Sequence, residues 1–267
     1  MIRRSINPKW RFALGVVAIT IVSLFYLWLS YRQHQINPND TTIPNIAQLI
    51  DGVNKVFAYD SLGKTWFFED AKATLTRLFL GLTIGTIASV VVGLSMGCFP
   101  VIESLFSPPL NFLAKIPPTA MLAVFFVMFG TDLQMYTAMV AFGVMPTLTQ
   151  TIYQSAKYDI ADELIYKTYT LGASLAEVVF ELIFKQILPR IIEAIRLQIG
   201  PAMVYLIAAE MMTSDVGFGY RLRIQSRLLN MNIVYVYLIF LGWFGYFMDW
   251  VITKFRMKLC RWFEIKG

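Results

Sequence analysis

Apolar residues along this chain gather into runs of about 20, each closed by a polar or charged stretch. A helix needs about 20 mostly apolar residues to cross a hydrocarbon layer about 30 Å thick. Runs of that kind extend over Phe12–Tyr31, Ala73–Gly97, Pro109–Phe129, Gln134–Tyr153, Ile191–Met212 and Ile233–Thr253. The pattern predicts an all-α membrane protein with about six transmembrane helices. The first run is longer than a signal-peptide core and lacks a small-residue cleavage site, so it is expected to be retained. Trp28 and Tyr31 near its far end suit a membrane interface. In the second run Gly81 and Gly85 form a small-residue seam of the kind that lets membrane helices approach closely. Pro117-Pro118 interrupts the third run, and Pro146 lies inside the fourth.

Composition agrees with the pattern. Of 267 residues 57% are hydrophobic, with 13 Met, 21 Phe and a mean hydropathy of +0.59. Only 15% are charged, below the usual share in soluble domains. The net charge of +6 does not indicate nucleic-acid binding, because the basic residues cluster at the chain ends and flank apolar runs. Cys98 and Cys260 stand far apart and make no disulfide scaffold or zinc site. His34 is the only histidine, which removes a histidine-built metal centre or catalytic triad from consideration. No cofactor is expected.

Lys and Arg flanking the apolar runs set membrane orientation. Arg3, Arg4, Lys9 and Arg11 precede the first run; Lys254, Arg256, Lys258, Arg261 and Lys266 follow the last. An even number of spans then puts both termini in the cytoplasm. The polar segment from Arg32 to Asp70 falls outside, with Arg32, Lys55 and Lys64 against Asp40, Asp51, Asp60, Glu69 and Asp70. Three parts are expected: an N-terminal span with its extracytoplasmic loop (1–70), a core (71–260) and, within the core, a cytoplasmic segment (154–190).

That cytoplasmic segment reads as helix, turn, helix. Acids at Asp159, Asp162 and Glu163 suit the positive end of a helix dipole. Gly172 suits the left-handed position that ends a helix. Ser174 with Glu177 three residues on forms a capping box for the next helix. Leu175, Val178, Val179, Leu182, Ile183 and Gln186 follow on overlapping faces, up to Pro189.

Leu171-Gly172-Ala173-Ser174 resembles the core of the cytoplasmic signature loop of ABC-importer permeases, the EAA motif. The chain departs from it in two places. Tyr166-Lys167-Thr168 stands in place of the Glu-Ala-Ala triplet, and Lys185 in place of the proline 13 residues after the glycine. Leu188-Pro189 matches a second Leu-Pro common in the nitrate/taurine/sulfonate-type permeases. Thr74-Leu75-Thr76-Arg77 with Gly81, Ile116-Pro117-Pro118, Ala209-Glu210-Met211 and Gly217-Phe218-Gly219-Tyr220 resemble other segments of that subfamily, in the same order. The resemblance implies a type I ABC-importer permease architecture in a bacterial inner membrane. It implies cytoplasmic ABC ATPase subunits, an extracytoplasmic substrate-binding protein and a second permease copy as partners, alongside membrane lipid. The chain has no G-x-x-x-x-G-K-[ST], so ATP would be bound by another polypeptide.

On this resemblance Tyr169, Leu171, Gly172, Ala173 and Ser174 are candidates for ATPase contact, against the plainer reading of an ordinary connector. Lys115, Pro117, Pro118 and Glu210 are candidates for the translocation path; a packing kink and a paired interfacial acid are the plain alternatives for the prolines and for Glu210. Arg196, near the cytoplasmic face, and Lys115 could snorkel or pair with Glu193 and Glu103. Arg221, Arg223 and Arg227 are candidates for docking an acidic partner outside, or for anchoring to headgroups.

Two other classes compete. A secondary transporter or channel would carry broken spans in both halves, yet only the third run is visibly broken. A membrane enzyme would need clustered titratable groups. The resemblance implies either small anions or neutral to cationic vitamin-like precursors as solute, and the basic candidates lean toward a small anion.

Overall fold

In the computed structural model, residues 7–38, 40–58, 63 and 65–263 are described. Arg3, Arg4, Asp60, Lys64 and Lys266, used above in the charge argument, lie outside them. The described chain is helical: α1 Pro8–Ile36, α2 Ile46–Phe57, α3 Trp66–Cys98, α4 Pro100–Leu113, α5 Leu122–Phe129, α6 Leu133–Tyr158 and α7 Asp162–Thr170, then α8 Leu175–Thr213, α9 Phe218–Arg227 and α10 Met231–Leu259. A 3-10 turn, Pro118–Met121, leads into α5, and α8 contains a π-helical stretch, Val178–Phe184.

Among the described residues four helices are long and apolar enough to cross a membrane: α1, α3, α8 and α10. The pair α4 and α5, bent by 83° at the predicted Pro117-Pro118 break, makes a fifth if it counts as one span. The remaining expected span, the fourth run, became α6, which has the length at 26 residues but not the same apolar character. Its surroundings explain this. Met135, Tyr136, Met139, Val140, Val144, Leu148 and Ile152 are buried against protein, and a helix enclosed by other helices need not match lipid along its whole surface.

The chain forms two compact units, Met1–Trp66 with Ile224–Leu238, and Phe67–Arg223 with Ile239–Gly267. In the larger unit α6 is the axis. Small residues of α3 repeat every fourth position: Gly81, Gly85, Ser89, Gly93 and Gly97. A Cβ on Gly81 would lie 2.5 Å from Val140 Cβ, and one on Gly97 would lie 2.4 Å from Ala156 Cβ. Ser89 Oγ donates to the Met145 carbonyl at 3.2 Å. The pairs advance together along both helices, so α3 and α6 run parallel. The bent pair between them therefore has to carry the chain back across the bundle. Helix α8 packs antiparallel to α6: Tyr136 meets Thr213 at 3.1 Å, and Gly143 is covered by Tyr205 and Pro118.

In the smaller unit the Tyr26 hydroxyl donates to the Pro44 carbonyl at 2.7 Å, and the Tyr26 ring meets that of Tyr235 edge-on. The 32–70 stretch, expected to be a polar loop, contains the amphipathic helix α2. An Asn45–Gln48 capping box starts it.

Candidate functional site

The segment between α6 and α8 has the predicted helix–turn–helix form. Helix α7 opens with Asp162 and Glu163 in its first turn and has no side-chain cap. It ends in a Schellman turn: Gly172 N–H donates to the Tyr169 carbonyl at 2.9 Å, and Ala173 N–H to that of Thr168 at 3.2 Å. Gly172 has φ +87°, and a Cβ there would meet no atom within 4 Å, so the constraint on this residue is its backbone conformation. Ser174 then caps α8. Its N–H donates to Glu177 Oε2 at 2.7 Å, and Glu177 N–H approaches Ser174 Oγ at 3.4 Å.

With both helix ends satisfied locally, the turn presents apolar side chains outward. Leu171 is 88% exposed and Tyr166 69%, with Tyr169 and Leu175 exposed beside them. Ala173 instead packs against the core, so of the five candidate contact residues it is the one turned inward. A shallow cavity of about 490 Å³ runs along the turn between Thr168, Leu171, Gly172, Glu177, Glu181 and Leu182. Arg190 pairs with Asp159 at 2.5 Å, tying α8 to the end of α6.

A second cluster lies at the far end of α8. Glu210 is fully buried. Its carboxylate accepts from Arg77 Nη1 at 2.8 Å, from Thr74 Oγ1 at 2.9 Å and from the Gly219 N–H at 2.9 Å. Asp70, also fully buried, accepts from the Gly217 N–H at 3.0 Å and from Arg221 Nε at 2.8 Å. The Arg77 guanidinium lies over the Tyr136 ring, 4.0 Å from its centroid, and donates to the Val216 carbonyl at 2.9 Å. Gly217 has φ +123°, and a Cβ there would sit 2.7 Å from the Glu210 carboxylate. On Gly219 it would sit 2.5 Å from the Ile207 carbonyl. These glycines let the 214–219 backbone close over the two acids.

The geometry redistributes the candidates. Glu210 faces arginine, threonine and backbone N–H groups rather than an open path. Arg221 is committed to Asp70. Arg223 donates to the Met212 and Ser214 carbonyls, both at 3.0 Å, where α8 ends. Of the three arginines considered for docking, Arg227 is the exposed one. Lys115 is exposed at the bend between α4 and the 3-10 turn, and Pro117 and Pro118 make that bend. Glu103, considered as a partner for Lys115 or Arg196, binds Lys157 at 2.7 Å and Tyr153 at 2.5 Å instead. Arg196 does pair with Glu193, at 2.6 Å, within a balanced network that includes Asp249, Thr253 and Arg256. Asp70, Thr74 and Arg77 were not singled out from sequence as partners of Glu210. Their signal is the spacing i, i+4, i+7, a polar stripe on one face of an apolar helix.

Residues 81–259 match the family described as "Binding-protein-dependent transport system inner membrane component". The chain belongs to this family. It is a multi-pass inner-membrane permease component of a binding-protein-dependent ABC importer. A probable ABC transporter permease of Brucella abortus is 27% identical over 73% of this chain and 78% of its own. The taurine transport system permease of Escherichia coli is 21% identical over 95% of this chain and 93% of its own. Among solved structures, a chain of the inward-facing MetNI methionine ABC transporter superposes with a TM-score of 0.62 at 17% identity. That match covers 71% of the permease and 94% of the other chain, and it shows a shared fold.

Proposed function

We propose that this permease moves a small anion by ATP-driven alternating access, and that the turn at 169–175 receives the force from a separate ATPase subunit. The observation that carries the reading is the exposed apolar turn. Leu171 projects almost wholly into solvent from a segment whose backbone is fixed on both sides by the Schellman turn and the Ser174 box. A rigid protrusion of this kind can transmit displacement into the 39-residue helix α8 that follows it. Tyr169, Leu171, Gly172 and Ser174 form the contact, with Ala173 anchoring the turn to the core.

We place both termini and this turn on the cytoplasmic side. Asp159, Glu181, Lys185 and Arg190 line one cavity with Trp262 and Phe263, which supports a common end for the turn and the C-terminus. The basic residues closing α10 favour that end as cytoplasmic. The full assembly has a second permease copy, two ATPases and an extracytoplasmic binding protein. The exposed Lys115 beside the broken span supports an anionic solute.

Gly172→Val tests the contact. The left-handed backbone costs a non-glycine residue about 1–2 kcal/mol, enough to deform an exposed turn without unfolding the bundle. Unchanged protein level, with loss of ATPase copurification and of uptake, is the expected result. Normal copurification and uptake would refute the contact.

A further inference from the structure

We propose that α2 is an interfacial helix, with its exposed apolar stripe seated in the lipid headgroup boundary at the far end of α1. At 100° per residue Ile46, Ile50, Val53 and Phe57 fall on one face of α2. Ile46 and Ile50 are each 57% exposed and Val53 is 41% exposed. The adjoining edge is covered by protein: Gly52 and Val56 are buried, and a Cβ on Gly52 would lie 2.7 Å from the Asn232 carbonyl oxygen. The opposite side is polar, with Asp51 and Lys55 joined at 2.7 Å and Asn54 exposed. Three sides with three environments describe a helix lying between protein, water and an apolar medium.

The attachment of α2 to α1 identifies that medium as lipid. The carbonyl of Pro44, just before the Asn45 cap, accepts from Tyr26 Oη at 2.7 Å and from Ser30 Oγ at 3.3 Å. Tyr26 and Ser30 lie within the last two turns of the apolar run of α1, whose Val22, Leu24, Phe25 and Trp28 face outward. The start of α2 is therefore fixed at the depth where the spanning helix leaves the hydrocarbon, and its stripe continues the lipid-facing surface of α1. The capping box, together with Gln48 Nε2 donating to the Asp40 carbonyl at 3.1 Å, satisfies polar groups that water would reach poorly at that depth.

The test is nitroxide scanning of residues 46–57 by single cysteines in a Cys98→Ala/Cys260→Ala background. The full chain is reconstituted in vesicles of phosphatidylethanolamine and phosphatidylglycerol. Oxygen accessibility should peak at 46, 50, 53 and 57 with a period of about 3.6 residues. Accessibility to an aqueous nickel complex should peak out of phase, at 51, 54 and 55. Nickel access at 50 and 53 equal to that at 54 and 55 would overturn the proposal. So would low access of both reagents at 50 and 53, which means a protein covers the stripe. A second measurement needs no substitution: diazirine-lipid adducts should map to both α1 and 46–53, and adducts on α1 alone would also overturn it.

Discussion

Glu210→Ala should be among the most damaging single substitutions in this protein. The carboxylate has no exposed surface and takes donors from two helices, Thr74 and Arg77 of α3 and the Gly219 N–H at the start of α9. Truncation leaves Arg77, whose side chain is 11% exposed, without its counter-charge. Breaking a buried pair by removing one partner costs about 3–5 kcal/mol. The stranded Gly219 N–H and Thr74 hydroxyl add about 1–3 kcal/mol each if nothing replaces the acceptor, though terms sharing one cluster do not sum simply. Taking 3–5 kcal/mol as the floor, the melting temperature should fall on the order of 10 °C, at about 2–4 °C per kcal/mol for a chain of this size. The assay is fluorescence-detected melting of the detergent-solubilised chain. Removing both charges, as Glu210→Ala with Arg77→Met, should cost less than the sum of the single changes, because neither ion is then left alone. A Glu210→Ala protein melting within a degree or two of the parent (about 1 kcal/mol or less), or strict additivity in the double variant, would refute the buried-pair account.

Gly81→Leu should abolish folded protein, since even a Cβ there would lie 2.5 Å from Val140, whereas Gly242→Leu meets nothing within 4 Å at its Cβ and should be tolerated; detergent-solubilised yield separates them. In the 40–45 loop the Asp40 carboxyl is held below its ordinary range, first by the Thr42 hydroxyl at 2.6 Å. A depressed carboxylate stabilises the fold above its unfolded pKa and loses that contribution as pH falls through the folded value. Hydrogen exchange should therefore show the loop protected at neutral pH and opening only below the usual carboxylate range, and Thr42→Val should move the opening to higher pH.

The long apolar runs were legible because lipid selects on composition: α1, α3, α8 and α10 match four of the expected spans. Helix α6 was legible in length, but its lower hydropathy follows from enclosure by neighbours, which a linear pattern does not reveal. The turn at Gly172 could be read residue by residue, because a left-handed glycine and a capping box are local devices. The Glu210 cluster could not. Its members come from positions 70–77 and 210–221, and the pairing follows from how α3 meets the end of α8. The stripe on α2 was hidden by its neighbours, because Pro38, Pro44 and the surrounding charges made the whole segment read as polar.

The central claim is that transport through this permease is driven by ATP at a partner subunit. The most direct measurement is radiolabelled solute uptake into proteoliposomes holding the permease, its ATPase and its binding protein, with ATP or a non-hydrolysable analogue enclosed. The account predicts accumulation only with hydrolysable ATP, lost on omitting the ATPase. Accumulation by the permease alone under an ion gradient would contradict it.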